Sequence, residues 1–321
     1  MSARGGGRRL SRGLAVVGEQ ASSPGVAPTA AGRRRDTIAA YRSLIKPRIA
    51  SLVAVAVFLG GWLAGPSNWW SLAAAVVATV LICAGAGVLN NAVERDVDRR
   101  MRRTAFRAVA RGRISQGAAA VFGFGLVAAG LVPLAWLRWE AVALAAAAVL
   151  LYVVVYTPLK QVAWWNTLVG AVPGAIPPLI GWVVVERQLD AGAWLAFALL
   201  FLWQLPHFYA IAWLCRDDYE RAGLRMATAT GYSPVLVAGQ VMGAAILLLP
   251  LCGALVYLDV TGVAFLIGGL AASAAFSWAG LRFVRSPTEA SATALLRASV
   301  WYLPALMVVL AADRILISLS G

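Results

Sequence analysis

Charge is scarce in this 321-residue chain. Only 13% of residues carry it, and 14 Asp+Glu face 28 Lys+Arg. There is one histidine, His207, and no Ser/His/Asp grouping is evident, so nucleophilic hydrolysis has no visible machinery. The three cysteines, Cys83, Cys215 and Cys252, are scattered in or beside apolar runs without a C-x-x-C pair. That argues against zinc or redox chemistry and for inert, buried thiols. No stretch alternates polar and apolar over the roughly ten residues that an outer-membrane barrel strand needs. No secretory signal is visible, because "GLAVV" is too short for its apolar segment. Nor does the spacing show the internal repeat common in transporters.

What is abundant is apolar: 61% of the chain is hydrophobic, in recurring runs of 18 or more. Each is long enough to cross about 30 Å of hydrocarbon as a helix, and helices satisfy their own backbone there. The expected fold is therefore all-α, a polytopic membrane helical bundle in the lipid bilayer. Nine spans are predicted near 47–65, 71–93, 115–135, 139–157, 165–185, 191–214, 235–257, 261–281 and 297–319. Residues 1–40, rich in Arg, Gly, Ala, Ser and Pro, read as a disordered basic tail, and 41–321 as one transmembrane domain. The tail is Arg-rich and acid-poor, as organelle transit peptides are, which keeps a mitochondrial inner membrane open beside a bacterial plasma membrane. Ten Lys/Arg precede position 49, and eight follow the second span between 94 and 114. Lys160 and three each in 215–234 and 282–297 lie on that same side, leaving only Arg138, Arg187 and Arg314 opposite. This imbalance puts the N-terminus and longer loops in the cytoplasm and explains the +14 charge without nucleic acid.

One stretch breaks the scarcity of acids: "NNAVERDVDRRMRRT", at the cytoplasmic end of the second span. Asn90, Glu94 and Asp98 are four apart, so on a helix they drift only about 40° per step and share a face. Asn91 and Asp96 fall off it. Acids at a membrane boundary are costly unless partnered and mark functional sites. Hard oxygen donors suit Mg²⁺, which binds through one or two carboxylates plus substrate phosphates. The arginines that follow could clamp phosphate oxygens, or could be ordinary surface ion-pair partners. Together they suggest a magnesium-diphosphate site. Downstream, Lys160 stands at the same surface, where Pro158 is expected to stop the fourth span, as a charge for diphosphate or an ordinary anchor. His207 lies inside the sixth span, a haem-iron ligand or a structurally bonded histidine, with Gln204 one turn before it. The adjacent Asp313 and Arg314 read as a surface pair.

The acidic stretch resembles the first motif, N-D-x-x-D-x-x-x-D, of the UbiA superfamily of intramembrane prenyltransferases, with Asn91 and Glu94 in place of two aspartates. Its continuation "DRRMRRTAFRAVARGRIS" resembles the haem O synthase branch, the protohaem IX farnesyltransferases, with Ala108 where that branch has proline. "VYTPLK…WWNTLVG…PGAIPPLIGW" and "WQLPHF…DYERAGLRM" are similar to the same branch, and the likeness runs from about 42 to 320. It implies transfer of a farnesyl group from farnesyl diphosphate to a vinyl group of haem B, giving haem O for haem-copper oxidases. Together with the residue chemistry above, it points to Mg²⁺ on Asn90, Glu94, Asp98 and Asp218, diphosphate on Arg99, Arg103, Arg107 and Lys160, and a haem pocket from Tyr156, Asn166, Gln204, His207 and Tyr219. A haem-modifying enzyme is the implied recipient of product. The second D-x-x-x-D of many superfamily members is missing: Arg221 and Ala222 stand four after Asp217 and Asp218. A prenyltransferase for a quinone precursor, a transporter and a non-catalytic haem-binding protein are the alternatives.

Overall fold

A computed structural model describes residues 30–228 and 234–320, with side chains from 36 to 228 and 234 to 319. Among these residues every regular element is helical. The first span is bent: α1 (Ala30–Leu44) and α2 (Pro47–Leu63) meet at 45°. Pro47 opens α2, where its missing N–H costs no hydrogen bond. The tail expected over 1–40 lies outside the described residues as far as position 29, but from Ala30 the chain is helical. This corrects the expected boundary. The physical reason is burial: Ala40 and Leu44 pack on Val88, Ala92, Val109 and Ile114, and Asn91 Nδ2 donates to the Leu44 carbonyl at 3.3 Å.

The remaining spans follow in order. They are α3 (Trp69–Val93), α5 (Gln116–Leu137), the run from α6 (Trp139–Leu150) to α7 (Thr157–Val162), and the broken pair α8 (Asn166–Ala175) and α9 (Pro177–Glu186). After them come α10 (Ala191–Leu214), α12 (Pro234–Tyr257), α13 (Val263–Arg285) and α14 (Glu289–Ser320). Short helices α4 (Arg95–Arg100) and α11 (Arg216–Ala222) lie in the two long loops of one side. Among the described residues, eight helices are long and apolar enough to span a membrane, and the bent α1–α2 pair makes nine. Exposed aromatics ring the other side: Trp69, Trp70, Trp136, Trp139, Trp194 and Tyr257, where amphipathic rings settle at an interface.

Two apolar cores hold the bundle. One gathers α2, α9, α10, α12, α13 and α14 around Leu179, Trp182, Leu248, Phe276 and Leu306. The other gathers α2, α3, α5, α6 and α9 around Val57, Leu72, Ile82, Leu134 and Ile180. Helices α2 and α9 belong to both, and they cross closely enough that a Cβ on Gly181 would lie 1.9 Å from the Val57 carbonyl oxygen. With no hydrophobic drive between helices in lipid, such close backbone contact is what binds them.

Two expectations fail here. Pro158 does not stop the fourth span. A π-helical turn over Leu151–Tyr156 precedes it, and α7 carries the helix on to Val162. Widening the turn absorbs the bond that proline cannot make, and Thr157 bonds the Tyr152 carbonyl through both its N–H and, at 2.8 Å, its hydroxyl. Asp313 and Arg314 are not a surface pair either. Asp313, 1% exposed, accepts from the N–H groups of Gly262 (2.7 Å) and Phe265 (3.0 Å) and so caps α13. Arg314 donates to the carbonyls of Leu63 (3.0 Å) and Val260 (3.1 Å). Neighbours in sequence, they tie α14 to the turn before α13, and Arg314 adds the end of α2.

Candidate active site

The acidic row is continuous across the joint between α3 and α4. Glu94 leaves helical geometry (φ −87°, ψ 12°), yet Glu94 N–H still bonds the Asn90 carbonyl at 2.9 Å and Asp98 N–H the Glu94 carbonyl at 2.7 Å. The register therefore survives, and Asn90, Glu94 and Asp98 all face one cavity of about 440 Å³. All three are buried. Asn91 and Asp96 are off the row, the latter exposed and paired with Arg99 at 3.2 Å.

Each member of the row already has a basic partner. Arg107 forks onto Asp98, with Nη1 at 2.8 and 2.7 Å from the two oxygens. Lys160 Nζ is 2.9 Å from Glu94 Oε1, and Lys46 Nζ is 3.4 Å from Asn90 Oδ1. Asn90 is oriented from its other end, where Nδ2 donates to Thr157 Oγ1 at 3.1 Å. Burial pushes the Asp98 carboxyl above the usual carboxylate range, against the charge and hydrogen bond of Arg107, which lower it. Arg107 reaches Asp98 because the loop turns back: Thr104 Oγ1 donates to the Asp98 carbonyl at 3.0 Å, and Arg107 N–H bonds the Thr104 carbonyl.

The π-helical turn supplies the facing wall. Tyr152 and Tyr156 stack at 5.8 Å, and Lys160 lies 4.5 Å from the Tyr156 ring centre. All three line the cavity, as do Tyr219, Met101, Leu224 and Met226. Gly170 opposite has no room for a side chain: a Cβ would come 2.5 Å from the Tyr156 ring.

Of the residues expected to bind diphosphate, Arg103, Arg107 and Lys160 line the cavity and Arg99 does not. Arg99 donates to the Ala110 carbonyl at 2.7 Å and pairs with Asp96, so it staples the loop. Asp218, expected on the metal, is also outside the cavity lining. Its oxygens accept from the N–H groups of Arg102 (3.2 Å) and Arg103 (3.1 Å), and Arg221 pairs with it. Burial alone would raise its pKa; these donors outweigh that and hold it below the ordinary range.

The expected haem pocket does not assemble as one site. Tyr156 and Tyr219 line the cavity, while Asn166, Gln204 and His207 do not. Asn166 Nδ2 bonds the Ala163 and Arg225 carbonyls at 2.6 and 2.9 Å. Gln204 Nε2 bonds the Ala171 carbonyl at 2.6 Å, clipping α10 to α8. His207 faces α14, stacked on Trp203, with Nδ1 2.7 Å from Ser299 Oγ. That hydroxyl gives its proton to the Leu296 carbonyl at 2.6 Å, so Nδ1 carries the ring proton and Nε2 keeps a lone pair. Sequence reasoning missed Lys46 and Tyr152. The only local sign of Lys46 was a lysine before the proline that opens a span.

The donor set offered to a metal is two carboxylates and an amide oxygen. Among the described residues no group of three or more His, Cys, Asp or Glu converges. Such a set fits Mg²⁺, which keeps its remaining positions for water and phosphate oxygens, and does not fit zinc.

Residues 51–303 match the UbiA prenyltransferase family. The chain is 37% identical over 287 residues to the protoheme IX farnesyltransferase of Solibacter usitatus, covering 85% of this chain and 98% of that one. It is 37% identical over 278 residues to the enzyme of the same name from Salinibacter ruber, again covering 85% and 98%. Among solved structures, a digeranylgeranylglyceryl phosphate synthase superposes with a TM-score of 0.68 at 16% identity, covering 87% and 98%. A UbiA homolog from Archaeoglobus fulgidus bound to GPP and Mg²⁺ gives 0.62 at 16%, covering 85% and 99%. At that identity the structural likeness speaks for the fold.

Proposed function

Because the chain belongs to the UbiA prenyltransferase family, we propose that it transfers a farnesyl group from farnesyl diphosphate to a vinyl group of haem B. Water adds in the same reaction, and the products are haem O, diphosphate and a proton. The observation that carries this reading is the cavity itself, where an aligned amide and two carboxylates meet Arg103, Arg107, Lys46 and Lys160 at a helix end. The choice of haem and farnesyl rests on what the full-length relatives are named.

The chain's own residues divide the work. Asn90, Glu94 and Asp98 would hold Mg²⁺, whose chemistry is to stabilise charge on the departing diphosphate. Arg107 and Lys160 put fixed positive charge where the diphosphate oxygens gather, in a buried site where it acts strongly, and Arg103 adds its charge at the exposed mouth. Loss of diphosphate leaves an allylic cation. Tyr152 and Tyr156 line the cavity, and electron-rich rings there suit that cation. The vinyl π bond attacks it, and water captures the resulting cation beside the porphyrin. His207, with its free Nε2 between α10 and α14, suits the haem iron. The cavity opens on the arginine-rich side, which we assign to the cytoplasm of a bacterial plasma membrane, with a haem-modifying enzyme as the next consumer.

The test uses protein purified in detergent with haem B, farnesyl diphosphate and Mg²⁺, read by the mass of the porphyrin. A product heavier by one farnesyl and one hydroxyl is expected, with more than a hundredfold loss in Asp98→Asn. Haem left unchanged while a quinone precursor, supplied in its place, is prenylated would overturn the substrate assignment.

A further inference from the structure

Asp218 is the acid that motif matching sends to the metal, yet the structure gives both its oxygens other work. Oδ1 accepts from Arg102 N–H and Oδ2 from Arg103 N–H, at 3.2 and 3.1 Å. The bonds cross between two loops more than a hundred residues apart in the chain. Beneath them runs an apolar seam in which Val97 and Met101 of one loop meet Ala222, Leu224 and Met226 of the other. The second loop is pinned again where Arg225 N–H bonds the Lys160 carbonyl at 2.8 Å. The loops thus form a roof over the cavity, and Asp218 is its polar latch.

The latch holds one particular residue. Lys46, Arg107 and Lys160 are each engaged by a member of the acidic row. Arg103 also lines the cavity, but its guanidinium is in no ion pair among the described residues. It is exposed at the mouth, with its own backbone N–H fixed by Asp218. A cation without an acidic partner is the one that reaches an incoming anion without first breaking a bond.

We propose that Asp218 is a positioning residue for the diphosphate, not a ligand of the metal: it fixes the backbone at Arg103 so that this arginine stands ready at the cavity mouth. The site then takes its metal from the acidic row alone. This rests on the diphosphate reading above and deepens it.

The test uses the full-length protein in detergent with Asp218→Asn, Asp218→Ala, Arg103→Gln and the Asp218→Asn/Arg103→Gln double variant. Two probes are titrated: Mn²⁺ alone, followed by electron paramagnetic resonance, and farnesyl thiodiphosphate at saturating Mg²⁺. Asn matches Asp in shape and keeps one acceptor, so it carries the test if Ala lowers the thermal midpoint too far. In Asp218→Asn, Mn²⁺ affinity is expected to stay within about twofold, while thiodiphosphate binding weakens about tenfold. In the Arg103→Gln background the same change is expected to add nothing, because coupled residues are not additive. Mn²⁺ binding that weakens tenfold in Asp218→Asn would make it a metal ligand and overturn the proposal. Losses that simply add in the double variant would also overturn it, since Asp218 would then act apart from Arg103. Wild-type protein that binds Mn²⁺ but no thiodiphosphate would instead sink the diphosphate reading, and this proposal with it.

Discussion

Replacing Lys160 with methionine tests whether its charge serves the reaction or only balances Glu94. The pair is 2.9 Å apart, with side chains 14% and 7% exposed. Breaking a buried pair by removing one partner costs about 3–5 kcal/mol, because the other charge is left without compensation. The residual exposure of Lys160 places this pair near the lower end. At about 2 °C per kcal/mol for a chain of this size, the thermal midpoint should fall by about 6 °C. Catalysis should suffer separately. Losing one fixed group aimed at developing charge costs about 10²–10³ in turnover. The stability effect is isolated in the double variant Lys160→Met/Glu94→Gln, which has no unpaired charge: its thermal midpoint should recover most of the loss, while its turnover stays low because Glu94 is itself a proposed metal ligand. Thermal unfolding in detergent and porphyrin mass analysis, run well below both midpoints, measure the two. Wild-type turnover in folded Lys160→Met would refute the diphosphate role outright. A midpoint unchanged in the single variant would refute the buried-pair argument.

Four further substitutions probe other parts of the molecule. Gly170→Ala should push the Tyr156 ring off its place over Lys160; a lost cation–π contact of about 1–2 kcal/mol means roughly tenfold lower turnover with Mn²⁺ affinity unchanged. Asp313→Ala orphans the N–H groups of Gly262 and Phe265 at the far end. It should lower stability by about 2 kcal/mol with no change in KM, and a KM shift would show that the two ends are coupled. His207→Ala should abolish the haem Soret shift on binding, while Ser299→Ala should weaken it severalfold by releasing Nδ1; unchanged spectra in both would remove His207 from the haem site.

The sequence carried the architecture because hydropathy and length are local quantities. Each apolar run must span, and the charge imbalance orients the whole. The acidic row was legible for the same reason: a four-residue step keeps a helix face, and the backbone bonds from Asn90 through Asp98 preserve it even where Glu94 leaves helical angles. The same geometry could have excluded Arg99. It follows Asp98 by one helical residue, about 100° around the axis, and so points at Ala110 and Asp96 instead. Nearness in sequence to the acidic row, not the helix face, drew it into the site. Pro158 misled for the opposite reason: the rule that proline ends a helix assumes an α-turn before it, and the chain widens that turn instead. The wide turn leaves Tyr152, Tyr156 and Lys160 along one wall of the cavity.

What was not legible depends on contacts between distant loops. Lys46 enters the cavity because α1 and α2 bend apart at that point, and the bend depends on α1 packing against the loop after α4. Asp218 carries the same motif whether it faces a metal or a backbone. Only the approach of Arg102 and Arg103 across the roof decides which. The acids scarce enough to be noticed in sequence thus divide into two kinds. Glu94 and Asp98 are buried against side-chain cations, which on the proposed reading a diphosphate takes from them. Asp218 and Asp313 are spent on backbone N–H groups, which offer no such exchange. A carboxylate paired with a movable side chain can change partners when substrate arrives, whereas one bonded to fixed backbone cannot without unfolding what it holds. That difference in partner separates the site acids from the scaffold acids in this bundle.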